Sequence, residues 1–390
     1  MGEIDNRSPD SAASAPGPLS GLRVVEFAGI GPVPFTCMLL ADLGADIVQV
    51  VRVGTPFPDP RDPLRRGRSG IVELDLNSPS GIADAIALVD HADIVVEGFR
   101  PGVMERMGLG PDELMLRNPR LIFGRMTGWG QQGPRMHEAG HDINYLAPSG
   151  ALAAIGPYGG KPVPPLNLVG DFGGGSLYLV LGVLAAVIER QRSGRGQVID
   201  AAICDGVASL MAMVAGYAQA GPIPWTEERG TNIGDGGRHF YNSYACADGR
   251  YIAVGAIEPQ FYAALREVAG MDDASFDRQH TNGDMAREQI ERTAAIFATR
   301  PRDEWCALAR GTDACLTPVL SMSEALQDSH NLARQTHIEI AGVHQPAPAP
   351  RFSRTPGKVQ WSPTAPTSSG EVIARWQGRD ATARDQPSNS

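Results

Sequence analysis

Short apolar runs alternate with stretches of helical spacing in the early part of the chain. The runs have the length and the Val, Ile and Phe content of buried strands, and they lie at Leu22–Phe27, Ile47–Val51, Ile94–Glu97 and Leu121–Met126. Stretches at 35–43 and 82–91 have the spacing of helices. Strands that alternate with helices predict an α/β fold with a doubly wound parallel sheet. Because ligands of such sheets bind beyond the carboxyl ends of the strands, we expect a site in the turns after these runs.

The later part of the chain has a different pattern. A Gly-rich segment at Phe172–Ser176 precedes a long predicted apolar helix. Gly, Pro and charged residues concentrate at 221–238 and mark a boundary. Beyond this boundary, Tyr244–Gly255 has the pattern of a β-hairpin, and several helical segments follow. The pattern predicts a smaller α+β domain at 237–320.

Composition and charge exclude several classes of function. The formal net charge of -10 argues against nucleic acid as the main partner, although local arginine clusters can still bind a small anion. The 5 cysteines are scattered and form no CxxC, so a reducing, cytoplasmic location is expected. The histidines lack metal-ligand spacing, and no metal is expected. Gly29-Ile30-Gly31 lacks the third glycine of a dinucleotide fingerprint, which argues against NAD.

The two ends of the chain predict neither export nor membrane insertion. The residues before Leu19 are rich in Ser, Pro, Ala and Asp and lack the basic start and apolar core of a signal peptide. We find no run of about 20 apolar residues, so no membrane span is expected. Residues 1–17 and 362–390 are predicted to be flexible tails.

Three ionisable residues have settings that suit proton transfer. His141 lies in the segment GHDINY (140–145), and histidine is the side chain best suited to exchange protons near neutral pH. Asp171 directly precedes the Gly-rich segment, and Glu258 precedes Pro259 at a predicted helix start. Each residue also has a structural interpretation. His141 would be a buried hydrogen-bonded histidine, Asp171 a helix N-cap and Glu258 a solvated first-turn charge.

Arginines follow the ends of the predicted strands. Arg52 ends one strand, while Arg100 and Arg106 follow the strand that ends at Glu97. Further arginines lie in the loop after Arg52, at Arg61, Arg65, Arg66 and Arg68. Guanidinium groups along one edge of a sheet suit contacts with phosphate groups, and an ordinary solvated surface is the alternative.

Several long segments, in order, resemble the family III CoA-transferase superfamily and, within it, its racemase branch. They cover most of residues 18–355 and are GLRVVEFAGIGP (21–32), LADLGADIV (40–48), EGFRPGVMERMGLGPD (97–112), RMTGWGQQGP (125–134), GHDINY (140–145), PPLNLVGDFGGGS (164–176), GQVIDAAICDG (196–206), CADGRYIAVGAIEPQFY (246–262) and DACLTPVL (313–320). The resemblance implies a large CoA-binding domain with a Rossmann-like sheet at 18–200, linker helices at 201–236, the small domain at 237–320 and a return segment at 321–361.

The resemblance also implies roles for individual residues. His141 and Asp171 match the two proton-transferring residues, and Glu258 matches the carboxylate that supports the histidine. The backbone around Asp142 matches the group that receives the thioester oxygen. CoA contacts match Arg52, Leu74, Asp75, Leu76, Asn77, Gly98, Phe99, Arg100, Arg106, Gly140, Ile143, Asn144 and Tyr145. CoA is then part of the substrate, and no separate cofactor is expected.

Two activities are compatible with the resemblance. Members of the racemase branch interconvert (R)- and (S)-2-methylacyl-CoA thioesters, because one base removes the α-proton to give an enolate and the other returns a proton. Members of the transferase branch use as nucleophile an Asp that corresponds to Asp142. His141 directly before Asp142, together with Glu258, favours the racemase branch. Family members are interlocked homodimers, so Glu258 of the partner subunit would complete the site.

Overall fold

The computed structural model describes residues 17–27, 29–57, 59, 61–219, 225–360, 362–363 and 365–384. These residues divide into two units. Unit 1 contains the described residues up to Ala139, Asp171–Gly206, and those from Ile338 onward. Unit 2 contains Gly140–Gly170 and the described part of Val207–His337. The resemblance places residues 140–170 in the large domain at 18–200, whereas the structure groups them with unit 2. The predicted tail at 1–17 lies outside the described residues, except for Gly17.

Parallel strands form the sheet of unit 1. They are β1 (Arg23–Phe27), β2 (Asp46–Arg52), β3 (Arg68–Leu74), β4 (Ile94–Glu97), β5 (Ile122–Thr127) and β6 (Val198–Ala202). Their order across the 6-stranded sheet is β3-β2-β1-β4-β5-β6. This order defines a doubly wound, Rossmann-type sheet, so the predicted α/β fold with a parallel sheet is confirmed. The strand order reverses between β1 and β4, and a ligand crevice is expected at their carboxyl ends.

Helices connect the strands and build much of both units. In chain order they are α1 (Pro32–Asp42), α2 (Pro79–Asp90), α3 (Val103–Arg106), α4 (Pro111–Arg117), α5 (Asp142–Leu146), α6 (Ala151–Ala154), α7 (Leu177–Ser193), α8 (Ile203–Leu210), α9 (Ala212–Gln219), α10 (Pro259–Ala269), α11 (Gly283–Phe297), α12 (Arg302–Ala309), α13 (Met322–Ala325), α14 (Ser329–Arg334) and α15 (Ser369–Arg384). Short 3-10 turns lie at Pro63–Arg65 and Ala274–Phe276. Helix α1 begins earlier than predicted because proline suits the first turn of a helix.

A buried ion pair joins β3 to β1. Arg68 and Glu26 are both 0% exposed, and Nε and Nη2 of Arg68 donate to the Glu26 carboxylate at 2.8 and 3.0 Å. Gln49 on β2 also donates to this carboxylate, at 2.9 Å. The other N–H groups of Arg68 donate to the carbonyl oxygens of Leu64, Arg66 and Pro34. A charged pair is tolerated inside a core only when its hydrogen bonds are satisfied in this way.

The Gly-rich segment before α7 is itself helical, so the helix begins before the apolar stretch predicted from the sequence. The structure has a π-helix at Leu168–Ser176 that continues directly into α7. A Cβ on Gly206 would lie 1.9 Å from the carbonyl oxygen of Gly174. Close backbone packing therefore requires glycine at Gly206.

The continuous helix Leu168–Ser193 also corrects the expectation about membrane spans. Its 26 residues, with a mean hydropathy of 1.8 in the most apolar 18-residue window, are sufficient by length and composition to cross a membrane. The most apolar window of this helix is 33% buried. Core helices of soluble proteins meet the same criterion. The sequence interpretation missed the full length of this run because it began the helix only after the glycines.

The C-terminal helix α15 belongs to the core of unit 1, so the predicted flexible tail at 362–390 is wrong over this helix. Val372 and Trp376 are fully buried in one cluster with side chains of β3 and α2. Arg375 donates to Asp46 Oδ1 at 3.1 Å, and Arg23 on β1 donates to the carbonyl oxygen of Trp376 at 2.7 Å. Residues 385–390 of the predicted tail lie outside the described residues.

Unit 2 contains an antiparallel sheet, as predicted for an α+β domain. Its strands are β7 (Tyr241–Ala245), β8 (Tyr251–Gly255) and β9 (Leu316–Val319), in the order β7-β8-β9. The predicted hairpin is confirmed, because β7 and β8 pair directly. Buried side chains of α10, α11 and α12 share one hydrophobic cluster with this sheet. A separate two-stranded sheet pairs β10 (His337–Ile340) with β11 (Val343–Pro346), and it belongs to unit 1 except for His337.

His239 is a buried histidine in the core of unit 2. Its Nε2 lies 2.8 Å from the hydroxyl oxygen of Tyr262, and this hydroxyl donates to the Phe276 carbonyl oxygen. The imidazole Nε2–H is therefore the donor to Tyr262. Burial, followed by the charges of His280 and Arg238, lowers the pKa of His239 to about 4.

This lowered pKa predicts that stability falls on acidification. An unfolded histidine titrates near pH 6.5, so below that pH the unfolded chain binds a proton that the folded chain excludes. We expect the free energy of unfolding to fall between about pH 6.5 and about pH 4, by up to about 3 kcal/mol from this residue. Urea unfolding at a series of pH values measures this loss. The pH dependence should be weaker in His239→Gln, and an identical slope in both proteins would contradict the assignment.

Candidate active site

The carboxyl edge of the parallel sheet gathers most of the predicted CoA contacts. Arg52 is the last residue of β2, and Leu74 is the last residue of β3. Gly98, Phe99 and Arg100 directly follow β4. β4 lies at the point where the strand order reverses, and β2 and β3 lie on the other side of β1 in the same sheet. The turns after the strands are therefore where a doubly wound sheet binds its ligand.

The structure divides the predicted arginines into two groups. Arg66 forms a buried ion pair with Asp42 and Arg68 a buried pair with Glu26, while Arg61 and Arg65 pair with Asp59 and Asp62. The interpretation of Arg66 and Arg68 as loop arginines available to phosphates is therefore wrong. In contrast, Arg52, Arg100 and Arg106 are exposed, and no carboxylate among the described residues pairs with them. Exposed guanidinium groups without a carboxylate partner are available to an anionic ligand.

The loop after β3 is tightly closed. Asp75 Oδ1 accepts from the backbone N–H and the side-chain amide of Asn77, at 3.0 and 3.2 Å. Ser78 caps α2 by accepting from the Gly81 N–H at 3.1 Å. A Cβ on Gly81 would lie 2.2 Å from the Asp75 carbonyl oxygen, so glycine is required there. This geometry fixes the predicted contact segment from Leu74 to Asn77.

The loop after β4 is held by a network that the sequence interpretation missed. Arg125 on β5 donates to Glu97 at 2.8 Å and to Glu105 at 2.6 Å. The second oxygen of Glu97 accepts from the Phe99 N–H at 2.6 Å. Burial raises the pKa of Glu97, and its hydrogen bond with Arg125 opposes this effect. The sequence did contain a signal for this network. Glu97 in IVVE and Arg125 in IFGRMT are charged residues within apolar runs, and a buried charge requires a partner.

Asp171 lies in the π-helical segment, inside its first turn, so its interpretation as an N-cap is wrong. The carboxylate packs beside the turn between β1 and α1, because a Cβ on Gly31 would lie 3.3 Å from Asp171 Oδ2. Stacked rings of Phe35 and Phe172, with centroids 4.1 Å apart, join α1 to the same segment. The Ser176 hydroxyl donates to the Pro32 carbonyl oxygen at 2.8 Å. Asp171 is therefore fixed near the N-terminus of α1.

His141 is the N-cap residue of α5 and is exposed, so the buried-histidine interpretation is wrong. Its backbone N–H donates to Asn144 Oδ1 at 3.0 Å, and its carbonyl oxygen accepts from the Asn144 N–H at 2.7 Å. The Tyr145 hydroxyl donates to the Gly140 carbonyl oxygen. These bonds fix the backbone of the segment from Gly140 to Tyr145 and leave the imidazole accessible.

The side chain of Asp142 packs against Gly170. A Cβ on Gly170 would lie 2.1 Å from Asp142 Oδ1, so any side chain there would displace this carboxylate. Gly170 is buried and is joined by a peptide bond to Asp171. Sequence interpretation gave no role to Gly170, because the close approach depends on how the chain folds back onto α5.

Glu258 is exposed at the N-cap position of α10 and makes no capping bond with its side chain. This agrees with a solvated charge at a helix start. Burial, and after it the charge of Glu258, raises the pKa of Cys315. Among the described residues, no hydrogen bond joins Glu258 to His141, although both belong to unit 2.

A cavity of about 660 Å³ lies within unit 2. Its lining includes Tyr158, Arg238, Asn242, Asn282 and Arg287, and none of the predicted catalytic or CoA-contacting residues. In the part of the chain that the structure describes, no group of 3 or more His, Cys, Asp and Glu side chains could hold a metal ion.

Comparison with known proteins identifies the family. Residues 19–370 match CoA-transferase family III, and the chain belongs to this family. It is 46% identical to the alpha-methylacyl-CoA racemase of Mus musculus, over 87% of each chain. It is 33% identical to the succinyl-CoA–D-citramalate CoA-transferase of Chloroflexus aurantiacus, with 90% of this chain and 92% of that protein covered. A crystal structure of a CAIB/BAIF family protein from Brucella suis superimposes with a TM-score of 0.75 at 26% identity, covering 93% of this chain and 99% of that one.

Proposed function

We propose that this protein is an α-methylacyl-CoA racemase, an isomerase that interconverts (R)- and (S)-2-methylacyl-CoA thioesters. The observation that carries the proposal is the likeness to the mouse racemase, which clearly exceeds the likeness to the D-citramalate CoA-transferase. CoA enters as part of the substrate, and neither a separate cofactor nor a metal is part of the proposal. A cytoplasmic location and the absence of a nucleic-acid or membrane partner stay predictions from the sequence.

CoA is proposed to bind along the carboxyl edge of the parallel sheet. Arg52, Arg100 and Arg106 support this placement, because they are exposed cations without an ion-pair partner among the described residues. The segments Leu74–Asn77 and Gly98–Phe99 would contribute backbone groups, which their hydrogen bonds hold in place. The segment Gly140–Tyr145 would contact the thioester end of the substrate.

The proposed reaction is a proton exchange at the carbon next to the thioester. One base removes the α-proton and gives an enolate, and a protonated group on the opposite face returns a proton. We assign these roles to His141 and Asp171, one of which must start as the base and the other as the proton donor. Backbone N–H groups near Asp142 would stabilise the enolate oxygen. Each turnover leaves the first base holding the proton taken from the substrate, while the second group has given its own proton to the product.

Proton exchange in D₂O tests the proposal. The protein is incubated with (R)- or (S)-2-methylacyl-CoA, and loss of the α-proton signal is followed by NMR. A racemase replaces the α-proton by deuterium from either enantiomer and forms the other enantiomer. Absence of exchange across a range of branched acyl chains would remove the racemase assignment.

The alternative function is CoA transfer with Asp142 as nucleophile. Its support is the family itself and the position of Asp142, whose carboxylate is held against Gly170. In that reaction the carboxylate attacks the thioester carbonyl, CoA thiolate leaves, and an acyl anhydride forms on Asp142. Mass spectrometry of the protein mixed with an acyl-CoA donor would detect the covalent adduct. No adduct with any donor and acceptor pair would remove this alternative.

We further propose a homodimer in which the partner subunit's Glu258 supports His141. Within one chain, the described residues provide no hydrogen bond between the two side chains. Leu177, Leu181 and Ile188 on α7 are 52, 63 and 59% exposed, an apolar surface that is typical of a protein contact.

Mixing two inactive variants tests the shared site. His141→Ala and Glu258→Gln are each expected to lose activity as homodimers. Subunit exchange between them should restore α-proton exchange, because one of the two sites in each mixed dimer then contains both intact residues. The control is Glu258→Gln alone, at the same total concentration and taken through the same subunit-exchange procedure. A mixed population that stays inactive after verified subunit exchange would place Glu258 outside a shared site.

A further inference from the structure

We propose that Arg125 is a positioning residue for the loop from Gly98 to Arg106, and that it holds Arg100 and Arg106 at the spacing that CoA phosphates require. The inference rests on the proposed CoA site at the carboxyl edge of the sheet. Arg125 itself would not touch CoA, because its guanidinium is occupied by carboxylates and is 5% exposed.

The first half of the network fixes the start of the loop. Glu97 ends β4 and pairs in register with Arg125 on β5. Arg125 Nε donates to Glu97 Oε1 at 2.8 Å, and Glu97 Oε2 accepts from the Phe99 N–H at 2.6 Å. Glu97 is fully buried, so its carboxylate has no water to replace either bond. The backbone at Phe99, where the loop begins, is thereby held by side chains of β4 and β5.

The second half of the network fixes the end of the loop. Nη1 and Nη2 of Arg125 donate to the two carboxylate oxygens of Glu105, at 2.6 and 3.3 Å. Glu105 directly precedes Arg106 on α3. A planar guanidinium that binds one carboxylate through Nε and another through its two Nη atoms sets the distance between them.

The consequence concerns the two exposed arginines on the loop. Arg100 directly follows the fixed residue Phe99, and Arg106 directly follows the fixed residue Glu105. Neither arginine has an ion-pair partner among the described residues. Two cations without partners repel each other, and a flexible loop would separate them. A fixed loop keeps both arginines directed at one anionic ligand. The loop then loses its conformational entropy during folding rather than during CoA binding, which strengthens binding.

The test compares substrates with and without the nucleotide phosphates. Glu105→Gln and Arg125→Lys are measured for CoA binding by calorimetry, and for KM and kcat with 2-methylacyl-CoA and with the S-(2-methylacyl)pantetheine thioester. We expect CoA affinity to fall and KM for the CoA thioester to rise by about tenfold, with kcat within about twofold. Kinetics with the pantetheine thioester should not change. Arg117→Lys, which alters an exposed pair with Asp90, is the matched control.

Two results would overturn the inference. One is unchanged CoA affinity in both variants, provided that thermal unfolding shows them to be folded. The other is an equal loss with the pantetheine thioester, since that loss would not involve the phosphates. Glu105 is partly exposed, so Glu105→Gln is the variant that is expected to fold normally. If the wild-type protein binds CoA but exchanges no α-proton, the racemase proposal is wrong. Calorimetry of CoA binding to the variants would still test the positioning role of Arg125.

Discussion

His141→Ala is expected to lower the rate of α-proton exchange by about 10³-fold, while CoA binds with unchanged affinity. A positioned general acid or base contributes roughly 10²–10⁴-fold to a rate, and alanine removes the only group in this side chain that exchanges protons. The backbone of the segment should persist, because Asn144 bonds to the backbone N–H and carbonyl oxygen of His141 rather than to its ring. The loss should therefore appear in kcat.

The measurement is deuterium incorporation from D₂O into 2-methylacyl-CoA, with CoA affinity determined in parallel by calorimetry. His137→Ala is the matched control, because His137 is an exposed histidine only four positions earlier. It should exchange the α-proton at the wild-type rate. Normal exchange in His141→Ala would exclude this residue as a base, and loss of CoA binding would indicate a damaged site instead.

Arg68→Met is expected to lower the free energy of unfolding by about 3–5 kcal/mol, because removal of one member of a buried ion pair leaves an uncompensated charge. Glu26 is 0% exposed and would lose both hydrogen bonds from the Arg68 guanidinium, while the bond from the neutral Gln49 amide would remain. The Leu64, Arg66 and Pro34 carbonyl oxygens would lose their donors as well. Urea unfolding followed by circular dichroism measures the loss.

Two further variants make this prediction specific. Arg61→Met breaks an exposed pair with Asp59 and should leave the unfolding midpoint unchanged, because water replaces the lost bonds. Glu26→Gln combined with Arg68→Met should recover part of the loss, since no buried charge then lacks a partner. Equal free energies of unfolding for Arg68→Met and Arg61→Met would contradict the prediction that burial makes the loss of Arg68 costly.

The parallel sheet could be predicted because its strands are apolar runs bounded by turns. Four of the strands follow this rule, at β1, β2, β4 and β5. The sixth strand, β6, contains Asp200 and leads directly into α8, so its residues resembled the start of a helix. Helix α15 was missed for a related reason. Its anchors, Val372 and Trp376, are few among polar residues, and composition alone does not indicate that they meet a core.

The site could be predicted only in part, because sequence order gives positions and not partners. Ends of strands correctly indicated where Arg52 and Arg100 lie. Nothing in the sequence distinguishes them from Arg66 and Arg68, because the carboxylates that pair with these two, Asp42 and Glu26, come from distant positions. The same limit applies to Arg125, whose role depends on the register between β4 and β5.

The contact between β1 and α15 has a consequence for how the protein is made. Arg23 donates to the carbonyl oxygen of Trp376, a residue 353 positions later in the chain. Strand β1 therefore leaves the ribosome long before α15, and its layer stays incomplete until α15 has been made. Contacts of such long sequence separation form late and slow folding. Nascent chains should then remain protease-sensitive and dependent on chaperones until α15 has been synthesised.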